Sequence, residues 1–255
     1  MNYLGQRKVD PPAEMQQAEQ YRFPYHYIPD YDQNGAGMRY TAMTWGLEYL
    51  CYQEHIQRLV EKLSPDSVLD VGCGDGRFIG RLDKRIRRFG VDRDERAIKF
   101  AMAFNGDVEF KCGVLADVDG IFDISVAIEV LEHVSDEAVP PFIQGLFSKV
   151  RSGGHVIISV PSTVLRQNSK HYRHYTEALI HTQLNDSSVK YEICSLERVY
   201  REPLWLKAYL RATLNRYWMF EMNIVRKLVW DYMWKTCRIA DARTGHHIVA
   251  VLRKP

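Results

Sequence analysis

The sequence predicts an α/β fold with a doubly wound, mostly parallel seven-stranded sheet. Three observations predict it. Short β-branched runs alternate with helical segments from Ser67 onward, a Gly-rich turn follows the first of those runs, and an acidic residue ends the second. Seven runs carry the strand pattern: Ser67 to Val71, Arg88 to Asp92, Val108 to Cys112, Phe122 to Ile128, His155 to Val160, Tyr191 to Leu196 and His247 to Leu252. Their alternation with helices points to βαβ units covered on both faces.

The residues before the sheet are polar and aromatic, interrupted by Pro11-Pro12, Gly35 and Gly37, until Tyr40 to Leu63 places apolar residues at helical spacing. Residues 1–65 are therefore expected to form a helical N-terminal cap, and residues 66–255 the main domain. The stretch Tyr21-Arg22-Phe23-Pro24-Tyr25-His26-Tyr27 is dense in amphipathic rings. Between the last two strands, Arg201 to Arg238 is too long for a plain connection and has helical periodicity, which predicts a helical insertion.

Composition narrows the function. Of 255 residues, 34 are basic and 32 acidic, so the net charge of +2 creates no overall field for nucleic acid or an anionic membrane. The 5 cysteines are widely spaced without a C-x-x-C pair, which suits a reducing cytoplasm. Neither a secretory signal nor an apolar run of about 18 residues is present, so the expectation is a protein that is not exported by that route and does not span a membrane.

The strongest local signal is SVLDVGCGDGRF, residues 67–78, in which a buried strand meets Gly72, Gly74 and Gly76 before a helix. Missing side chains at such a turn let a ligand lie against the backbone. A nicotinamide site wants G-x-G-x-x-G, but Arg77 stands where the third glycine would be, so that reading weakens. Asp92 ends Phe89-Gly90-Val91-Asp92 about twenty residues after Gly72, the position from which a carboxylate grips ribose hydroxyls and repels a phosphorylated ribose.

The run DVGCGDG, followed by GVDRDERAI and FDISVAIEVLEHV, resembles the class I S-adenosylmethionine methyltransferases over about residues 45–200. The resemblance implies a Rossmann-like fold with S-adenosylmethionine as cofactor. It implies that Asp70 and the loop Gly72-Cys73-Gly74 position the methionine end, with Glu129 close to it. Asp92, Arg93 and Val114 complete the expected cofactor set. Where the family often has Gly-Asp after the third strand to bind adenine, this chain has Cys112-Gly113-Val114 with its next acid at Asp117, leaving a backbone contact or Asp117 for that role.

Glu129-Val130-Leu131-Glu132-His133 ends the fourth strand at the sheet edge where doubly wound folds place ligands, and is similar to the E-x-x-E-H run of ubiquinone-biosynthesis O-methyltransferases. His133 is the expected general base, because imidazole with a pKa of about 6.5 is a proton acceptor at neutral pH. His171 and His174, in Lys170-His171-Tyr172-Arg173-His174-Tyr175-Thr176, are the other candidates for handling the acceptor on a substrate loop closed by a Thr176 helix cap. No metal is called for. The alternative is a divalent ion held by Glu129, Glu132, His133 and His174, as the similar pattern implies for RNA 3′-terminal 2′-O-methyltransferases.

The insertion holds Trp205, Trp218, Trp230 and Trp234 among eight basic and three acidic residues. Packing onto the sheet, peripheral membrane contact and base stacking are its three readings, and the spacings Trp230–Trp234 and Leu206–Leu210–Leu214 favour packing. The expected function is methylation of O or N on a small polar acceptor, a sugar or glycan precursor or a quinone-like aromatic. Nucleic acid is the less favoured partner, oligomeric state is open, and a catalytically silent cofactor-binding scaffold is the reading from another class.

Overall fold

The computed structural model describes residues 30–31, 37–38, 46–167, 169–213, 220 and 222–255. The ring-rich stretch 21–27, Leu214 and Trp218 lie outside the described residues. Seven strands form the main sheet: β1 (Ser67–Val71), β2 (Arg87–Asp92), β3 (Glu109–Cys112), β4 (Phe122–Ile128), β5 (Val150–Pro161), β6 (Glu192–Val199) and β7 (His247–Arg253). Their order is β3-β2-β1-β4-β5-β7-β6, and β7 alone runs antiparallel to its neighbours.

Among the described residues seven α-helices accompany the sheet: α1 (Gly46–Lys62), α2 (Arg77–Arg81), α3 (Glu95–Phe104), α4 (Val139–Ser148), α5 (Glu177–Asp186), α6 (Leu204–Thr213) and α7 (Asn223–Tyr232). Alternate strand residues serve opposite faces, as the period of two requires. Val68, Ile124, Val126, Ile157, Val249 and Val251 share one core with α1, α2, α6 and α7. Leu69, Ala127, Val156, Ile158, Val160, Ala250 and Leu252 share the other with α4 and α5. The hydrophobic strands are thus covered on both sides, and each fully buried aliphatic side chain contributes about 1.5–3 kcal/mol.

Helix α1 packs into the same core as the sheet through Leu47, Leu50, Cys51, Ile56 and Val60. The helical insertion takes the form of α6 and α7 followed by a wider turn at Met233–Cys237. Trp230 is buried and stacks on Trp234 at 6.1 Å, and the guanidinium groups of Arg58 and Arg238 lie 4.5 and 4.7 Å from the Trp234 ring. Trp205, by contrast, is exposed. Among the described residues no helix is long and apolar enough to cross a membrane.

Two strand boundaries differ from expectation by more than one residue. β5 begins at Val150 rather than His155, because Val150 pairs with Phe122 before a register shift, and Gly153 turns left-handed within Arg151-Ser152-Gly153-Gly154. β6 continues past Leu196 to Val199, since Glu197 and Arg198 pair with Val249 and Ile248 of β7 while their side chains reach His55 on α1 (3.1 Å) and Glu177 on α5 (2.9 Å). Between β1 and β4 the order of connection reverses, which opens a crevice at the carboxyl edge of the sheet.

Candidate active site

The loop after β1 enters that crevice with Gly72, Gly74 and Gly76 all at positive φ. The Gly72 amide donates to the Val91 carbonyl at 2.8 Å, and a Cβ on Gly72 would stand 2.6 Å from Val130 Cγ2. Both the conformation and the close approach require glycine there. Asp92, at the end of β2, accepts from the Gly74 amide on Oδ2 and the Asp94 amide on Oδ1, each at 2.9 Å. Its carboxylate is therefore oriented before any ligand arrives.

Asp70 is buried at the end of β1, and burial, followed by the charges of Asp92 and Asp75, pushes its carboxyl up to about 8. Three carboxyl groups beside one backbone cradle make a basin that favours a cation with hydroxyls, which suits an aminoacyl sulfonium nucleoside. Cys73 lies buried in the loop. Arg93 and Val114 are exposed at the ends of the neighbouring strands. The Val114 amide donates to Asp117 Oδ2 at 2.9 Å, so Asp117 closes its own turn.

Glu129 follows β4 with φ +55, a conformation that costs a non-glycine residue of order 1–3 kcal/mol. Its carboxylate is held on both sides. The Ser159 hydroxyl donates to Oε1 at 2.5 Å, and His247 Nδ1 lies 3.1 Å from Oε2. His247 Nε2 in turn sits 3.0 Å from Glu48 Oε1 on α1, which His246 Nδ1 also meets at 2.8 Å. Burial alone would lower the His247 pKa, but Glu129 and Glu48 overcome it and hold the imidazolium up at about 10. Burial alone would raise Glu48, yet its two histidine partners keep it at about 2. Tyr52 covers His247 with ring centroids 4.4 Å apart.

Sequence reasoning missed His247 and Glu48. They are joined across 199 positions, and nothing periodic connects them; the only signal was a histidine pair opening an otherwise apolar last strand.

The three histidines singled out beforehand come together. His133 Nδ1 faces the Lys170 carbonyl at 3.0 Å, and His174 Nδ1 faces the Leu165 carbonyl at 3.0 Å. A carbonyl only accepts, so both Nδ1 atoms carry the proton. His171 Nδ1 lies 2.8 Å from His174 Nε2 and must then be the donor, which leaves Nε2 as the acceptor nitrogen on both His133 and His171. Burial lowers the pKa of His133, and burial followed by His133 and His174 pushes His171 down to about 4. At neutral pH both rings are uncharged proton acceptors.

Glu132 is buried beside them with Oε2 unpartnered, and burial together with Glu129 keeps its carboxyl protonated well above the usual range. One donor atom each from Glu132, His133 and His171 falls within 4.8 Å of the others. This set differs from the metal alternative read from the sequence. Glu129 is engaged by His247 and Ser159, and His174 stands behind His171 as its hydrogen-bond partner. The loop carrying His171 is stapled from within. Arg173 turns inward, donating from Nη1 to the Leu131 carbonyl at 2.9 Å and to the Tyr175 hydroxyl at 3.3 Å, while Nη2 meets Asp136 at 2.7 Å. Its charge is spent on positioning the loop, not offered to an anionic substrate. Thr176 caps α5 by accepting from the Leu179 amide at 3.2 Å.

A family model described as a methyltransferase domain matches residues 45–199. The chain belongs to the class I S-adenosylmethionine-dependent methyltransferases. Among curated relatives, a probable S-adenosylmethionine-dependent methyltransferase of Mycolicibacterium smegmatis is 31% identical over 112 residues, 42% of this chain and 43% of that protein. The mitochondrial ubiquinone biosynthesis O-methyltransferase of Saccharomyces cerevisiae is 38% identical over 104 residues, 34% of this chain and 33% of that one. The matched region thus spans less than half of either relative. Magnesium protoporphyrin IX methyltransferase of Synechocystis, solved with bound S-adenosylhomocysteine, has the same fold, with a TM-score of 0.62 at 13% identity over 95% of this chain and 100% of that one. The cofactor of this methyltransferase is S-adenosylmethionine.

Proposed function

We propose that this methyltransferase transfers the methyl group to an oxygen or nitrogen of a small polar acceptor, a quinone-like aromatic or a sugar or glycan precursor. The observation that carries the reading is the pair of neutral imidazoles, His133 and His171, at the same sheet edge as the glycine loop. Relatives named as ubiquinone biosynthesis O-methyltransferases support the aromatic acceptor. In this reading Asp92 accepts hydrogen bonds from the ribose hydroxyls, and Asp70 with Gly72, Cys73 and Gly74 holds the methionine end. Glu129, fixed by His247, faces the amino group, while Arg93 and Val114 flank the adenine side.

S-adenosylmethionine, when bound, supplies a methyl already activated by its sulfonium charge. The residues' work is alignment and removal of one proton. His133 Nε2 takes the acceptor's proton as its oxygen or nitrogen attacks, and His171 and His174 hold the acceptor beside it. Residues 1–65 act as the cap and residues 66–255 as the catalytic domain, with residues 201–238 bounding the acceptor side. All five cysteines are free, which supports a cytoplasmic site of action.

The test uses methyl-labelled cofactor with a panel of catechol-like and sugar-nucleotide acceptors. Label passes to one class, and His133→Ala lowers kcat by about 10²-fold or more, the usual share of a general base. No transfer to either class, or a variant as fast as the parent, contradicts the reading. The Glu132, His133 and His171 cluster favours one second reading, metal-assisted methylation of an RNA 3′-terminal ribose. It requires activity on RNA ends that a chelator abolishes and a divalent ion restores.

A further inference from the structure

Helices α6 and α7 carry more apolar surface than the sheet can cover. Leu206 and Leu210 of α6 and Val229 and Trp230 of α7 are buried in the core. A second row faces outward: Ile224, Leu228 and Tyr232 recur at i, i+4 and i+8 along α7, with Ile224 73% and Leu228 64% exposed. Trp205 meets Tyr232 edge-on at 4.9 Å, which joins this row to Leu204, itself 84% exposed. Phe220 and Met222, also exposed, lie just before α7.

We propose that this outward face of α6 and α7 docks on an anionic lipid bilayer. Charge decides the occupant. Lys207, Arg211 and Lys235 are exposed on the same helices and the turn that follows; Lys227, also exposed, pairs with Asp231 at 2.9 Å, and Glu202 is the other acid among the described residues 201–238. Leucine and isoleucine enter the acyl boundary, Trp205 and Tyr232 suit the headgroup layer, and lysines extend their stems past the apolar row to reach anionic headgroups. A second copy of the chain would bring like-charged faces together in a two-fold contact, which repels. Apolar surface of this kind is otherwise rare on a monomer.

Position gives the docking a use. β6 runs parallel to β1, so α6 leaves the sheet at the carboxyl edge where the glycine loop and His133 lie. An amphiphilic acceptor resting in the bilayer would then reach the site without crossing water. That last step rests on the quinone-like reading of the acceptor; the docking itself does not.

The test is flotation of the full chain with vesicles of phosphatidylcholine alone and of phosphatidylcholine with about one-third phosphatidylglycerol. The protein floats with the anionic vesicles, less at high salt. The Ile224→Glu/Leu228→Glu variant binds at least about tenfold more weakly, with its melting temperature and S-adenosylmethionine affinity unchanged. No flotation of the parent, equal binding to both compositions, or equal binding of the variant overturns the proposal. So does light scattering that shows a dimer which the variant breaks, since the face then belongs to a second copy. Retained cofactor affinity alongside failed flotation leaves the methyltransferase reading intact.

Discussion

Replacing His247 by Gln removes the positive charge held between Glu48 and Glu129. A glutamine amide can donate to one of the two carboxylates but turns its oxygen toward the other. Removing one partner of a buried ion pair costs about 3–5 kcal/mol. Because Glu48 keeps His246 and Glu129 keeps Ser159, the lower end, about 3 kcal/mol, applies here. At about 2–4 °C per kcal/mol for a chain of this size, thermal unfolding monitored by circular dichroism should begin about 6–12 °C earlier.

The pH dependence has a definite sign. His247 is raised from 6.5 to about 10, so its contribution is complete below about 6.5 and is lost as pH rises through about 10. Glu48 is lowered from 4.5 to about 2, so its contribution is complete above about 4.5 and is lost as pH falls through about 2. The gap between parent and variant is therefore widest between pH 4.5 and 6.5 and closes toward pH 10. A gap under about 1 °C, or one that stays constant from pH 6 to pH 10, would refute an imidazolium in this position.

Three further outcomes are expected. Asp70, with its carboxyl raised from 3.8 to about 8, binds a proton at pH 7 that a nearby sulfonium or ammonium group would expel. Calorimetry of S-adenosylmethionine binding in two buffers of different ionisation enthalpy should show close to one proton released, and Asp70→Asn should abolish that release; equal heats in both buffers with the parent speak against it. Gly72→Ala places a Cβ 2.6 Å from Val130 Cγ2 at φ +77 and should cost about 1–2 kcal/mol in denaturant unfolding, with cofactor affinity at least about tenfold weaker. Trp230→Ala empties a buried site that stacks on Trp234 and should cost about 3–5 kcal/mol in the same assay, against near-neutral substitution if the insertion were loosely attached.

The fold was legible where a strand is buried on both faces. β1 (SVLDV) and β4 (FDISVAI) are short, mostly apolar and rich in β-branched residues, each is closed by a turn or an acid, and their ends match the expected residues. β5 and β6 were cut short by Arg151-Ser152-Gly153-Gly154 and Glu197-Arg198, polar residues whose partners lie on other strands and helices. The glycine loop and Asp92 could be read because backbone clearance and a strand-end carboxylate are local requirements with fixed spacing. The histidine cluster was legible as residues but not as geometry: which of His171 and His174 faces His133 depends on how Arg173 turns the loop inward. His247 was hidden because its meaning comes from Glu48 and Glu129, on a helix and a strand far away in the chain.

The central claim is that the glycine loop and Asp92 hold the sugar and amino-acid halves of S-adenosylmethionine. Isothermal titration of the parent and of Asp92→Ala tests it most directly. The parent should bind at a single site. The variant should bind about ten- to a hundredfold more weakly, the loss expected for charge-assisted hydrogen bonds of about 1.5–3 kcal/mol, while still unfolding in one cooperative transition, at a lower temperature because the Gly74 and Asp94 amides lose their acceptor. Equal affinity in the two proteins, or displacement of the cofactor by a nicotinamide dinucleotide at that loop, would contradict the account.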